Sequence, residues 1–256
     1  EKQVEKRTEE LQIANEKLLR SNTELEQFAY VSSHDLQEPL RKIHTFSQLL
    51  LPSVENSAEA KNYLEKIIAS AVRMSGLIGD LLNLSRLSKP EDAFKTVDLE
   101  EVVKSVRNDF EILIAQKNAT INVHNRLPVV VGVQSHFTQL FLNLISNSLK
   151  FCRTKPVIEI SSAIERQPRF EDLLPVKREI YYARIEVKDN GIGFDQKYAD
   201  RIFTIFQRLN NRKEYGGSGI GLAICKKIVE NHQGRITATS SVNAGSCFTI
   251  YLPLCG

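Results

Sequence analysis

Asp189-Asn190-Gly191-Ile192-Gly193 follows the run Arg184-Ile185-Glu186-Val187-Lys188, and upstream of both lies Gln139-Leu140-Phe141-Leu142-Asn143-Leu144-Ile145-Ser146-Asn147-Ser148-Leu149-Lys150-Phe151. Apolar residues recur at period two in the first run and at helical spacing in the second, which predicts a strand ending at Asp189 and a helix over 134–151. On that helix Asn143, Asn147 and Lys150 share one face, with leucines opposite. Asparagine competes with the helix backbone for hydrogen bonds, so two of them one turn apart require a reason beyond helix formation. A neutral amide oxygen is a hard ligand suited to Mg²⁺. The Asp189 carboxylate only accepts hydrogen bonds, so it selects the exocyclic amine of adenine over the guanine edge. Gly191 and Gly193 allow backbone to approach a flat ring closely. Taken alone, Asp-Asn-Gly also reads as a hairpin turn.

Gly217-Ser218-Gly219-Ile220-Gly221-Leu222 opens a predicted helix over 218–232, placing free N–H groups and the positive helix end where phosphates bind. The polar, irregular stretch Gln207 to Gly216 before it is not the apolar strand of a dinucleotide-binding turn, and no Walker lysine follows the glycines. A Rossmann turn and a P-loop are thereby excluded. Further strands are predicted over 120–124, 128–131, 157–165, 180–188, 235–241 and 246–252, with a helix over 99–117 whose capping box is Asp98-x-x-Glu101. These alternate into an α/β sandwich with a mixed sheet. The segment 166–179, with Pro168 and Pro175, reads as a long hairpin insertion.

The N-terminal third has a different pattern. Leu11, Leu18 and Leu25 recur every seven residues, with Thr8, Asn15, Asn22 and Ala29 at the other core position, which is coiled-coil spacing and favours a parallel, in-register pair. A single solvated amphipathic helix is the alternative reading. The helix continues through Ser33-His34-Asp35-Leu36-Gln37-Glu38-Pro39-Leu40 to about Leu51, and a second runs from Ala58 to about Leu87. Two antiparallel helices enclose no core, so the hairpin needs a second copy, making a four-helix bundle and a homodimer. His34 carries a neutral imidazole near physiological pH. Asp35 beside it can hold the Nδ1–H tautomer and leave Nε2 as the nucleophile. Pro39 offers no N–H to the Asp35 carbonyl, so the helix bends beside the histidine. His44, His124, His136 and His232 lack such company and read as structural.

The 256 residues carry 34 Lys and Arg against 31 Asp and Glu, for a net charge of +3, and no basic stripe interleaved with aromatics. That balance argues against nucleic-acid binding. The cysteines at 152, 225, 247 and 255 form no metal spacing and fit thiols of a reducing, cytoplasmic compartment. No apolar stretch reads as a bilayer span and no signal peptide is evident, so the chain reads as soluble. Its start within a helical pattern at Glu1 reads as a fragment lacking an upstream sensor domain.

In this order and at these distances the motifs resemble those of the sensor histidine kinases of two-component signalling, over about Glu26 to Pro253, with an H-box variant similar to phytochrome-like bacterial kinases. The resemblance implies residues 1–27 as a coiled-coil signalling helix and 28–88 as the dimerisation and phosphotransfer domain. It implies 89–97 as linker and 98–256 as a Bergerat-type ATP-binding domain. It makes His34 the phosphoacceptor with Asp35 and Glu38 catalytic neighbours, and Asn147 the Mg²⁺ ligand. Asn143, Lys150, Phe151, Asp189, Gly191, Gly193, Arg208, Gly217, Ser218, Gly219, Gly221 and Leu222 then form the ATP site. Phe203 and Phe206 resemble the family's F box, Gly245-Ser246-x-Phe248 its last glycine motif, and 207–216 its ATP lid. The implied partners are a second copy and a response-regulator receiver domain. Glu38 stands where family members with phosphatase activity commonly carry Thr or Asn, which leaves that activity unassigned. Two other readings stay open: a dimeric ATPase of the gyrase or chaperone type, and an adaptor with a degenerate nucleotide site.

Overall fold

The computed structural model describes residues 40–50, 52, 57–87, 94–168, 179–209 and 218–254. The coiled-coil heptads, His34, Asp35, Glu38, the bend at Pro39, Gly217 and most of the lid segment lie outside the described residues. The chain divides into two compact units, Glu1–Arg86 and Leu87–Gly256.

In the first unit, α1 covers 40–50 and α2 covers Ala58–Arg86. Ser57 caps α2, its hydroxyl accepting from Ala60 N (3.3 Å) and its carbonyl from Lys61 N (3.0 Å), and Glu59 in the first turn complements the helix dipole. Ile43, Phe46, Leu49 and Leu50 on α1, with Tyr63, Ile67, Val72 and Met74 on α2, are exposed. One expectation is corrected here: Ala58–Leu84 is long and apolar enough to cross a membrane by length and composition, with a window of mean hydropathy 1.4. The same helix carries Lys61, Glu65, Lys66, Arg73 and Asp80. That mixture is the pattern of a helix whose apolar face meets other helices.

The second unit is the expected two-layer sandwich. Strands β2 (Thr120–Val123), β4 (Val157–Pro168), β5 (Glu179–Asp189), β6 (Arg235–Ser240) and β7 (Ser246–Pro253) form a sheet ordered β2-β4-β5-β7-β6. The β2–β4 pair is parallel and the others antiparallel, so the sheet is mixed. Helices α3 (Leu99–Asp109), α5 (Gln134–Lys150) and α6 (Gly221–Asn231) pack together, with α5 touching both of the others. The core takes Ile158 and Ile160 from β4, Ile185 and Val187 from β5, Ile250 from β7, and Phe137, Leu140, Phe141, Leu144, Ile145 and Leu149 from α5, all fully buried. Each such side chain contributes roughly 1.5–3 kcal/mol. Burying the leucine face of α5 turns the Asn143, Asn147 and Lys150 row outward.

The structure departs from the expected elements in three places. The helix over 99–117 breaks at Phe110, whose N–H is shared between Val106 O (3.3 Å) and Arg107 O (3.2 Å). This tightens the turn, and α4 (Glu111–Gln116) continues separately. Strand β1 (Lys95–Asp98) pairs antiparallel with β3 (Val129–Gly132), so the connection expected over 89–97 ends at Lys95. Asp98 does cap α3 through Glu100 N (2.9 Å), whereas the Glu101 carboxylate lies 3.6 Å from Lys104 Nζ. Third, α6 begins at Gly221 instead of 218, because Gly219 has φ +75°, outside helical conformation.

His232, at the C-terminal end of α6, is 3% exposed. Its Nε2 accepts from Val133 N (3.1 Å), so the proton sits on Nδ1, 2.7 Å from Ile228 O. The ring stacks on Phe94 at 4.9 Å, and a Cβ on Gly132 would fall 2.4 Å from it, which explains the glycine. Burial lowers the pKa of His232, and the nearby His136 lowers it further. The unfolded chain therefore takes up a proton first as pH falls. The contribution of His232 to stability is complete above its unfolded value, about 6.5, and is lost as pH drops from there through the lower folded value. The urea midpoint is expected to be lower at about pH 5.5 than at about pH 7.5.

Candidate functional site

The outward row of α5 is where the described site residues meet. Asn143 receives a hydrogen bond from Gln139 Nε2 (3.1 Å) and donates through Nδ2 to Gly221 O (3.1 Å), tying α5 to the glycine turn that starts α6. Asn147 lies one turn on and is half-buried. At the helix end, Lys150 Nζ sits 4.8 Å over the Phe151 ring. Burial holds the Lys150 ammonium below the usual lysine range, and the Arg208 guanidinium lowers it further. Two cations held close enough to disfavour each other favour an anion between them.

Gly219 belongs to the same group. A Cβ there would lie 3.1 Å from Arg208 Cγ and 3.1 Å from Gln207 O, and its carbonyl accepts from Phe206 N (3.0 Å). Ser218 Oγ accepts from Ile220 N (3.2 Å), which shapes the turn ahead of Gly221 and Leu222. The structure thus brings Asn143, Lys150, Arg208, Gly219 and Gly221 together through one chain of neighbours. Gly217 lies outside the described residues. Phe203 is buried, 6.5 Å from the Phe248 ring, while Phe206 is exposed with φ +63°. Of the two F-box phenylalanines, only Phe203 packs into the core.

Asp189 ends β5 and is 9% exposed. Its Oδ1 accepts from Gly191 N (2.8 Å) and Ser246 N (3.2 Å), and its Oδ2 lies 3.4 Å from Ser148 Oγ. Burial raises the carboxyl pKa, and these three donors pull it back down. One oxygen is therefore committed to backbone and the other keeps accepting capacity. Close approach explains the glycines around it. A Cβ on Gly191 would fall 2.6 Å from Phe151 O, and one on Gly245 1.9 Å from Asp189 O. Gly193 has φ +58°. Gly191→Ala is expected to lower stability by roughly 1–3 kcal/mol, because backbone must shift to admit the methyl group; thermal denaturation checks it.

Ser148 and the Ser246 N–H were not foreseen as site groups. A polar residue on the apolar stripe of α5 was the available sign of Ser148; a backbone N–H leaves none in side-chain identity. His34, Asp35 and Glu38 fall outside the described residues.

The chemistry of this donor set fits a purine nucleotide. It offers an accepting carboxylate at a glycine-lined position, two cations for phosphates, and neutral amide oxygens able to ligate a divalent cation. No group of three or more His, Cys, Asp or Glu side chains able to hold a metal occurs among the described residues.

Comparison with known proteins accords with this geometry. Residues 132–256 match the family model described as histidine kinase-, DNA gyrase B- and HSP90-like ATPase, and residues 24–90 match the His Kinase A (phospho-acceptor) domain. Cyanobacterial phytochrome A of Nostoc sp. is 39% identical over 241 residues, covering 93% of this chain and 30% of that protein. Phytochrome-like protein Cph1 of Synechocystis sp. is 37% identical over 252 residues, covering 97% and 32%. The chain thus spans about a third of these relatives' length. Full-length ShkA, solved in complex with AMPPNP, has the same fold at TM-score 0.65 and 20% identity, covering 90% of this chain and 46% of that one. The histidine kinase AdeS of Acinetobacter baumannii gives TM-score 0.56 at 19% identity, covering 85% and 98%.

Proposed function

The chain belongs to the sensor histidine kinases, and from that premise we propose that it phosphorylates His34 from MgATP and passes the phosphoryl group to an aspartate of a response regulator. The supporting observation is the convergence on α5 of an adenine-reading end, Asp189 with Ser148, and a phosphate end, Lys150 with Arg208. The match of residues 24–90 to a phospho-acceptor domain supports a histidine of that segment as the second substrate.

In this reading Asp189 accepts from the adenine amine through Oδ2, and Gly191 and Gly193 let backbone lie against the ring. Lys150 and Arg208 neutralise phosphate charge, and the described part of the glycine turn, 218–222, presents N–H groups to phosphate oxygens. Asn147 ligates Mg²⁺, with Asn143 holding its helix against the glycine turn. The metal, when bound, screens charge on the phosphate oxygens. His34 Nε2 attacks the γ-phosphorus, a new N–P bond forms, the bond to the β–γ bridging oxygen breaks, and ADP leaves. Asp35 accepts from Nδ1–H and offsets the charge developing on the ring. Positioning and charge neutralisation carry the step.

The exposed apolar side chains of α1 and α2 are the natural contact with a second copy, giving the homodimeric bundle. The eight residues 87–94 between α2 and β1 reach at most ~29 Å, and a tether of that length holds the nucleotide-binding unit at millimolar effective concentration, so weak docking suffices. We assign the kinase direction, in a cytoplasmic setting, and make no phosphatase assignment with Glu38 in place.

Incubation with γ-labelled ATP tests the proposal. Label is expected on the protein with Mg²⁺ and none after chelation by EDTA. Steady release of free phosphate without protein-bound label would replace the proposal by an ATPase of the gyrase type, and nucleotide binding with neither outcome by an adaptor.

A further inference from the structure

Asn190 sits in the Asp-Asn-Gly turn, between the base-reading carboxylate and the glycine against the Phe151 carbonyl, yet its side chain points away from both. Its Nδ2 donates to Lys155 O (3.0 Å). Its Oδ1 accepts from Val157 N (2.8 Å) and lies 3.4 Å from Cys152 Sγ. Its own N–H donates to Val157 O (3.3 Å). Asn190 thus fastens the connection 151–156, which runs from the end of the nucleotide helix α5 to β4, together with the first residue of β4, Val157. That connection starts at Phe151, whose carbonyl accepts from Ile192 N (2.8 Å) and occupies the space a Cβ on Gly191 would need.

We infer that Asn190 is a positioning residue for the nucleotide base: its amide clamps the connection that follows α5, at Lys155 and at Val157 where β4 starts, to the turn carrying Asp189 and Gly191, and fixes the spacing of that turn from Phe151 before ATP arrives. The inference rests on the nucleotide reading above. The physical reason is preorganisation. Residues 189–193 hold the ring by close backbone approach, where a shift of about 1 Å is enough to lose the contact. With the clamp gone, ordering of 151–157 and the turn is deferred to the binding step and opposes it. The side chain is exposed, so its loss removes hydrogen bonds without opening a core cavity.

Strand β4 supplies a matched control. Further along it, Ser162 is held by the same kind of clamp: Asn125, beyond the end of β2, accepts from Ser162 N (2.9 Å) and donates to Ser162 O (2.6 Å). The test is calorimetric titration of ATP with Mg²⁺ into the unsubstituted chain, Asn190→Ala and Asn125→Ala, beside their melting temperatures and the rate of label incorporation at saturating ATP. Asn190→Ala is expected to weaken ATP binding by about tenfold with the saturated rate within about twofold. Asn125→Ala is expected to bind as the unsubstituted chain does, although both variants lose comparable thermal stability. Asn190→Asp keeps the acceptor but places an anion against Lys155 O, and is expected to weaken binding too; it serves if Asn190→Ala does not fold. Unchanged affinity in the Asn190 variants, or equal weakening in Asn125→Ala, would overturn this inference alone. Absence of ATP binding in the unsubstituted chain would overturn the nucleotide reading and this inference with it.

Discussion

Replacement of His34 by Gln is expected to abolish protein-bound phosphate completely while ATP affinity stays within about twofold. Glutamine approximates the reach of histidine and remains compatible with a helix, but its amide nitrogen has no free lone pair, so no nucleophile is left at that position. The nucleotide contacts proposed above all lie in the unit Leu87–Gly256, whereas His34 belongs to the unit Glu1–Arg86. Phosphorylation is therefore lost without a change in binding, and the comparison is made by label incorporation beside calorimetric titration. Label persisting in His34→Gln would place the acceptor elsewhere.

Asp189→Asn is expected to have the largest effect on binding. The amide can keep one oxygen toward Gly191 N and Ser246 N, which now bond Oδ1 at 2.8 and 3.2 Å. The second position becomes an NH₂ group, a donor facing the donor of the adenine amine. A charge-assisted hydrogen bond is lost and two donors oppose each other, together about 3 kcal/mol, or roughly a hundredfold in Kd. The same NH₂ suits an oxygen at that ring position, so discrimination against GTP should fall. Stability should hold at neutral pH, because the carboxylate is already disfavoured by burial. A second readout follows from that raised pKa. The unsubstituted chain should lose ATP affinity as pH falls through a value above the ordinary aspartate range, since Oδ1 is held by two backbone donors and a proton on Oδ2 turns that oxygen into a donor facing the amine. In Asp189→Asn this acid limb should vanish.

The strands and helices of the nucleotide-binding unit were legible because each buries one face and so carries a clear period; β5 alternates Ala183, Ile185 and Val187 inward, and α5 repeats its apolar stripe. Strand β1 was not legible, because Val97 alone among its four residues is buried and no alternation shows. The break at Phe110 also left no mark: no Gly or Pro stands there, and a shared backbone N–H sets it. Among the candidate site groups, Asn143, Asp189 and Gly191 stand out in the sequence as residue types that fit poorly into ordinary helix or strand, and Lys150 by sharing the face of the two asparagines. The structure adds what side-chain identity does not carry, namely the Ser246 N–H on the carboxylate, the Phe151 carbonyl against Gly191, and the Asn190 clamp. It also shows that Asn143 acts on Gly221 directly.

The most direct test of the central claim is the chemistry of the label that the unsubstituted chain takes from γ-labelled ATP with Mg²⁺. A phosphoramidate on a histidine nitrogen hydrolyses in acid and survives alkali. The account predicts acid-labile, alkali-stable label, located by mass spectrometry on the peptide holding His34. Acid-stable label on a hydroxyl, or release of phosphate with no protein-bound label, would contradict it.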